Sequence, residues 1–301
     1  MKDQSISRRR LLASSAGLAA LPYIAHSPEA QAAAKQLRLD DPAERARVRA
    51  KIAGSAIAED THSYYRLHVY AHQTGEPAVP LFSMMNYSVV RWEPTADGKF
   101  AGKNFEVGVY TNFDSDEPIT EWLNPITGEM REVWQFIGGP IKVTIGPDGV
   151  ETGPGATLKP EANTIELIGD QIFIPTQSSF SFPNMFKPDE WPKESAGDTY
   201  FWDSFYTFSA RISDALNPDI SAAPAQAQFQ NLVSWHPWLG MGQLPGRTFG
   251  RAFGSKVSGP EGLPPKVLAA VEKYAPAILD IDTWGDFRND FLDFKKARKP
   301  T

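Results

Sequence analysis

From Ser63 onward the residues alternate with period two: Tyr65, Leu67, Val69 and Ala71 fall on one side of the chain, and Tyr64, Arg66, His68, Tyr70 and His72 on the other. A segment with this period is a strand with two unlike faces, and a strand needs neighbours. They follow at short spacing: Leu81 to Trp92, Phe105 to Thr111, Glu129 to Ile137, Ile141 to Ile145, Thr164 to Leu167, Gln171 to Ile174, Thr199 to Ser209 and Leu232 to Trp235 all read as strands. Turn signals separate them, at Asp97-Gly98, Thr127-Gly128, Pro147-Asp148-Gly149 and Gly169-Asp170, and Gly138-Gly139-Pro140 reads as one more turn. No helical repeat lies between the strands, which argues against a βαβ fold. The expected fold is mainly β, an antiparallel barrel or strongly curved sheet, calycin-like in outline.

Helices are expected only at the two ends. Asp40 to Ala58 reads as one, with Asp40 or Asp41 as cap, Pro42 in the first turn, and an apolar stripe of Ala43, Val48, Ile52 and Ala53. Near the other end Pro264-Pro265 opens a helix through Val267, Leu268, Val271 and Tyr274. Trp284, Phe287, Phe291, Leu292 and Phe294 supply a second apolar face, closing in Lys295, Lys296, Arg298 and Lys299. This helical segment, about 264–299, should pack on the sheet, so that residues 33–301 form a single β-rich domain.

Residues 1–32 read as an address. Ser7-Arg8-Arg9-Arg10-Leu11-Leu12 precedes a weakly apolar run to Ala25, and Ala30-Gln31-Ala32 offers the small residues that a signal peptidase needs, the pattern of a twin-arginine signal. Export to the periplasm is the expectation, with secretion beyond it as the variant. Cleavage would remove Lys2, Arg8, Arg9 and Arg10 but only Asp3 and Glu29 among the acids, leaving a more acidic mature chain. No later stretch has the ~18 consecutive apolar residues of a membrane span.

Composition narrows the chemistry. The 301 residues carry a net charge of -6, against the clustered basic face of a nucleic-acid binder. With 0 cysteines there are no disulfides, thiolate metal sites or Cys nucleophile. Neither a G-x-S-x-G elbow, a Walker loop, H-E-x-x-H nor a dinucleotide-binding glycine motif occurs. His68 and His72 would stand about 13 Å apart on one strand face, too far to share a metal. No metal and no cofactor are therefore expected.

What remains is acid/base chemistry. If Arg66, His68, Tyr70 and His72 line the interior of a barrel, one imidazole can serve as base or acid while Arg66 steadies negative charge. Asp203, on the Tyr200 to Phe208 strand, stands among apolar neighbours with Arg91 or Arg211 as candidate partners. A third feature is Trp235-His236-Pro237-Trp238-Leu239-Gly240-Met241, whose Trp, His and Gly content describes an irregular segment passing close to something. The candidate catalytic residues are His68, His236, Asp203, Arg66 and Tyr70. The candidate ligand-binding residues are His72, Trp92, Trp134, Trp202, Tyr206, Trp235, Trp238 and Met241.

Two stretches carry a resemblance. Glu121-Trp122-Leu123-Asn124-Pro125-Ile126-Thr127-Gly128-Glu129, and the Trp235 to Gly246 segment with Lys256 after it, resemble the bacterial and fungal family catalogued as domain of unknown function 1838. The family has no generally assigned activity, so the resemblance implies membership and little more. In the first stretch Asn124 to Gly128 is chiefly turn chemistry, with Trp122 and Trp134 as candidate cross-strand partners. The favoured function is metal-free proton transfer on a mostly apolar or aromatic small molecule, of dehydratase, isomerase or lyase type. The alternatives are a periplasmic binding or carrier protein without turnover, and a metal-dependent oxidoreductase.

Overall fold

The computed structural model describes residue 32 and residues 35–151, 156–157, 163–285 and 288–299. The twin-arginine residues and the rest of the signal-like segment up to residue 31 lie outside the described residues, as does Phe287.

Helix α1 (Pro42–Ala53) is capped by Asp41, whose Oδ1 accepts from the Ala43 amide at 2.9 Å, and Pro42 occupies its first turn. It ends five residues before the expected Ala58. Gly54 lets the chain turn there against the ring of Trp92: a Cβ on Gly54 would lie 2.2 Å from Trp92 Cζ2. Three strands follow, β1 (Thr61–His72), β2 (Val79–Pro94) and β3 (Phe100–Thr111). A small hairpin, β4 (Glu121–Leu123) and β5 (Met130–Glu132), stands apart from the main sheet. In its register Trp122 faces Arg131 and not Trp134. Next come β6 (Phe136–Gly146), β7 (Gly149–Glu151), β8 (Ala156–Thr157), β9 (Glu166–Ile168), β10 (Gln171–Pro183) and β11 (Thr199–Arg211). After α2 (Ile212–Leu216) come β12 (Gln226–Val233), β13 (Arg247–Val257), α3 (Pro265–Tyr274), β14 (Arg288–Asn289) and α4 (Asp290–Ala297). Gly138-Gly139-Pro140 lies inside β6, at a shift in its register against β3, and not in a turn between strands.

The sheet runs β14-β6-β3-β2-β1-β13-β12-β11-β10-β8, antiparallel throughout, and curls into a half-barrel. The mainly β fold with helices at both ends is thus the one expected. β1 stands at the middle of the path, with one meander on each side. Its tight packing on β13 depends on small inward residues: Thr248, Gly250, Ala252 and Gly254 face Ala71, Val69, Leu67 and Tyr65. A Cβ on Gly254 would come within 2.1 Å of the Tyr64 carbonyl oxygen, so only glycine admits the approach.

β2 is buried on both faces. Its inner side joins the core inside the curl, where Phe82 and Met84 meet Leu67, Tyr110, Trp122 and Trp238. On its outer side Met85, Tyr87 and Val89, with Phe105, Val107 and Val109 of β3, are covered by Val267 and Val271 of α3 and by Ile278 and Trp284. At one end of the curl sits α1, strapped down by Lys256 of β13. The Lys256 ammonium donates to the carbonyls of Lys51 (2.9 Å), Gly54 (2.6 Å) and Ala223 (2.9 Å).

Candidate functional site

The Trp-rich core fills only part of the curl. Between β3 and β6 on one side and β10 and β11 on the other remains a cavity of about 590 Å³, a size that suits a small organic ligand. Its walls are mostly apolar, among them Val90, Ile137, Val143, Ile174, Phe180 and Trp202. Arg49 and Ala53 of α1 and Phe291 of α4 contribute from the two ends.

Besides Thr176, Gln177 and Ser178 of β10 and the rim residues Lys142 and Glu151, a polar patch at the floor interrupts these walls, and the sheet register makes it. Phe105 and Val107 turn outward beneath α3, so strand alternation sends Asn104 and Glu106 inward. Glu106 is opposite Ser88, and Ser88 opposite Ser63, which places three polar side chains side by side on β3, β2 and β1. Asn104 Nδ2 donates to Glu106 Oε1 at 3.2 Å, and Ser88 Oγ donates to Asn104 Oδ1 at 2.9 Å. Burial pushes the Glu106 carboxyl above its ordinary 4.5, the Asn104 bond pulling weakly the other way. Among the described residues no lysine or arginine offsets that burial.

Across the cavity floor, Tyr65 of β1 and Tyr206 of β11 bring their hydroxyls to 3.0 Å. Burial raises both phenols far above 10, and the charge of an ionised Glu106 would raise them further. Tyr206 is fixed by stacking on Phe229, ring centroids 4.2 Å apart. Beside it the Trp202 indole donates to Ser204 Oγ at 2.7 Å.

Three of the expected ligand-binding residues line this cavity: Trp92, Trp202 and Tyr206. The other expected residues lie elsewhere. β1 turns its apolar side in, and Arg66, His68, Tyr70 and His72 turn out, the reverse of the expected barrel lining. Transfer energies decide this: Leu67, Val69, Ala71 and Tyr65 gain by burial what a row of Arg and His would lose.

On the outer face these side chains hold the loop after β3. Arg66 Nη2 donates to the carbonyls of Phe113 (3.1 Å) and Ser115 (3.2 Å), and the His68 and Tyr70 rings pack on Phe113. Ser83 Oγ gives its proton to the Phe113 carbonyl at 2.7 Å, so His68 Nδ1, 3.0 Å from that oxygen, is the donor to it. Ser83 is fully buried and has no free proton to give the imidazole, so the pair is an anchor rather than a nucleophile and base. Burial, and then the Arg66 charge, hold His68 below its usual range.

Asp203 also faces outward, between Phe201 and Phe205, and its ion-pair partner is Arg247 at 3.7 Å rather than Arg91 or Arg211. Arg91 is taken by Asp60 and Asp282. His72 is exposed at the end of β1. Trp134 stacks on Phe294 of α4 at 4.6 Å, and Trp238 lies in the solid core against Phe82, Tyr110 and Trp122. The Trp235 indole donates to the Leu244 carbonyl at 2.7 Å.

His236 stands one layer behind the cavity wall. Its Nδ1 is 3.3 Å from the Tyr200 hydroxyl, and its ring lies between Trp202 and Phe291, which do line the cavity. Burial lowers it to about 4, so it is neutral near pH 7. Glu106, Tyr65, Asn104, Ser63 and Ser88 were not among the site residues expected from the sequence. A signal existed: a glutamate flanked by Phe105 and Val107 within a strand is either exposed or an inward polar group.

The two recurrent motifs meet each other and not the cavity. Asn124 donates to the Leu239 carbonyl, Arg131 Nε to that of Trp238 at 3.1 Å, and Met241 is buried against the same hairpin. The profile of the family described as "Protein of unknown function (DUF1838)" matches residues 58–290, most of the chain. The chain belongs to this family. No curated protein matches it. The DUF1838 match spans the curled sheet from just before β1 to the start of α4, and so takes in the Glu106 patch together with both motifs. Among the described residues no three His, Asp or Glu side chains gather as a metal-holding group, and no helix is long and apolar enough to cross a membrane.

Proposed function

We propose that this DUF1838 protein binds a mostly apolar small molecule inside the curled sheet and acts on it by metal-free acid/base chemistry of isomerase or lyase type, after export by the twin-arginine route. The observation that carries the reading is the carboxyl of Glu106, held in a mostly apolar cavity with Asn104 as its hydrogen-bond partner and no cation beside it among the described residues. Such a carboxyl holds its proton above its ordinary range, which suits a general acid. Glu106 takes the role expected of His68 and Asp203, both of which face away from the cavity.

The test is untargeted metabolite profiling of three strains: the parent, a deletion strain, and one carrying Glu106→Gln. The reading expects the same apolar metabolite to accumulate in the deletion and Glu106→Gln strains. A Glu106→Gln strain indistinguishable from the parent overturns the catalytic part.

A further inference from the structure

The polar floor of the cavity hands its protons in one direction. Ser88 donates to Asn104, and Asn104 donates to Glu106. Glu106 forms no other hydrogen bond among the described residues, so when the carboxyl is protonated its proton is left for whatever fills the cavity. Tyr65 and Tyr206 share one hydrogen bond, which uses one phenolic proton and leaves the other free whichever residue donates. Both groups are therefore short of an acceptor.

Among the described residues, the cations nearest the polar floor are committed elsewhere or stand at the rim. Arg49 directs Nε to the Pro147 carbonyl at 3.0 Å and Nη2 to that of Asn163, and its remaining nitrogen is sealed from solvent. Lys256, next to Ser63 in the register, is committed to three backbone carbonyls. Lys142 of β6 lines the cavity at its solvent-exposed rim, opposite Lys103 and away from the Glu106 floor in register. At the floor an anionic ligand would lose its hydration and meet no described cation beside Glu106. A plain hydrocarbon would leave the free protons unsatisfied.

We infer that the cavity takes a neutral, largely apolar molecule bearing a carbonyl oxygen, a ketone, aldehyde or ester, with that oxygen held by the Glu106 carboxyl and the free proton of the Tyr65–Tyr206 pair. The inference rests on the cavity being the ligand site. It also fits the proposed chemistry, since a carboxyl proton aimed at a carbonyl oxygen is placed to act there as the general acid.

Three naphthalenes of one shape test it on the purified chain by titration calorimetry at pH 7: 2-acetylnaphthalene, 2-ethylnaphthalene and 2-naphthoate. The ketone should bind at least tenfold more tightly than the other two. Glu106→Gln, which keeps an N–H donor, should hold the ketone within about threefold, and Glu106→Leu should bring it down to the level of the hydrocarbon without weakening the hydrocarbon. Equal binding of ketone and hydrocarbon, or tighter binding of the naphthoate, overturns the ligand class and leaves the cavity as an apolar site. Failure of all three to bind overturns the ligand site itself, and this inference with it.

Discussion

Asn124 and Leu239, distant in sequence, are joined by a hydrogen bond from the asparagine Nδ2 to the leucine carbonyl oxygen at 2.8 Å, both residues fully buried. The same side chain accepts from the Ile126 amide at 2.8 Å, so one residue both forms the turn of the β4–β5 hairpin and fastens it to the segment behind the core. Asn124→Ala should therefore cost about 2–3 kcal/mol in chemical denaturation, the value of a buried carbonyl and amide left unpaired. Asn124→Asp, which keeps the turn acceptor but loses the donor, should be nearly as damaging. A loss below about 0.5 kcal/mol in either would contradict the anchoring role.

Lys256 ties α1 to the sheet through three carbonyls. Lys256→Met has similar bulk but no donor, and should destabilise the protein by about 2–4 kcal/mol. Hydrogen exchange should quicken in residues 42–53 more than in β2. Uniform exchange across both segments would show that Lys256 does not act as a local strap.

Replacing Arg8 and Arg9 by Lys tests the address. The double variant should stay in the cytoplasm while the parent is recovered from the periplasm beginning near Ala33. Unchanged export of the variant contradicts a twin-arginine signal.

Much of this fold was legible because period two is a strong signal. β1, β2 and β11 stand close to where alternation puts them, and Asp41 with Pro42 marked the start of α1. Alternation alone does not say which face turns inward, and functional residue types on β1 suggested the wrong one. Reading it by apolar area, with Leu67 and Val69 against Arg66 and His68, gives the observed side. β13 was missed because Gly250 and Gly254 weaken a strand pattern, yet they are what lets β13 pack closely against its neighbours. The cavity escaped for another reason: Glu106 meets Asn104 within one strand, but Tyr206 reaches Tyr65 only through the curl, which no local pattern reports.

The state of Glu106 tests the account most directly. With its folded pKa raised above the unfolded value of about 4.5, the folded protein binds the extra proton. Stability contributed by the neutral carboxyl is present below 4.5 and is lost as pH rises through the folded value, and Glu106→Gln should abolish that loss. The carboxyl carbon resonance of Glu106, assigned by its absence in Glu106→Gln and followed by NMR from pH 3 to pH 9, reads the proton itself. The account predicts a midpoint clearly above 4.5, moving further up when a carbonyl ligand fills the cavity. A midpoint at or below 4.5 would mean an ionised, solvated carboxylate, and would contradict the acid on which the proposed chemistry depends.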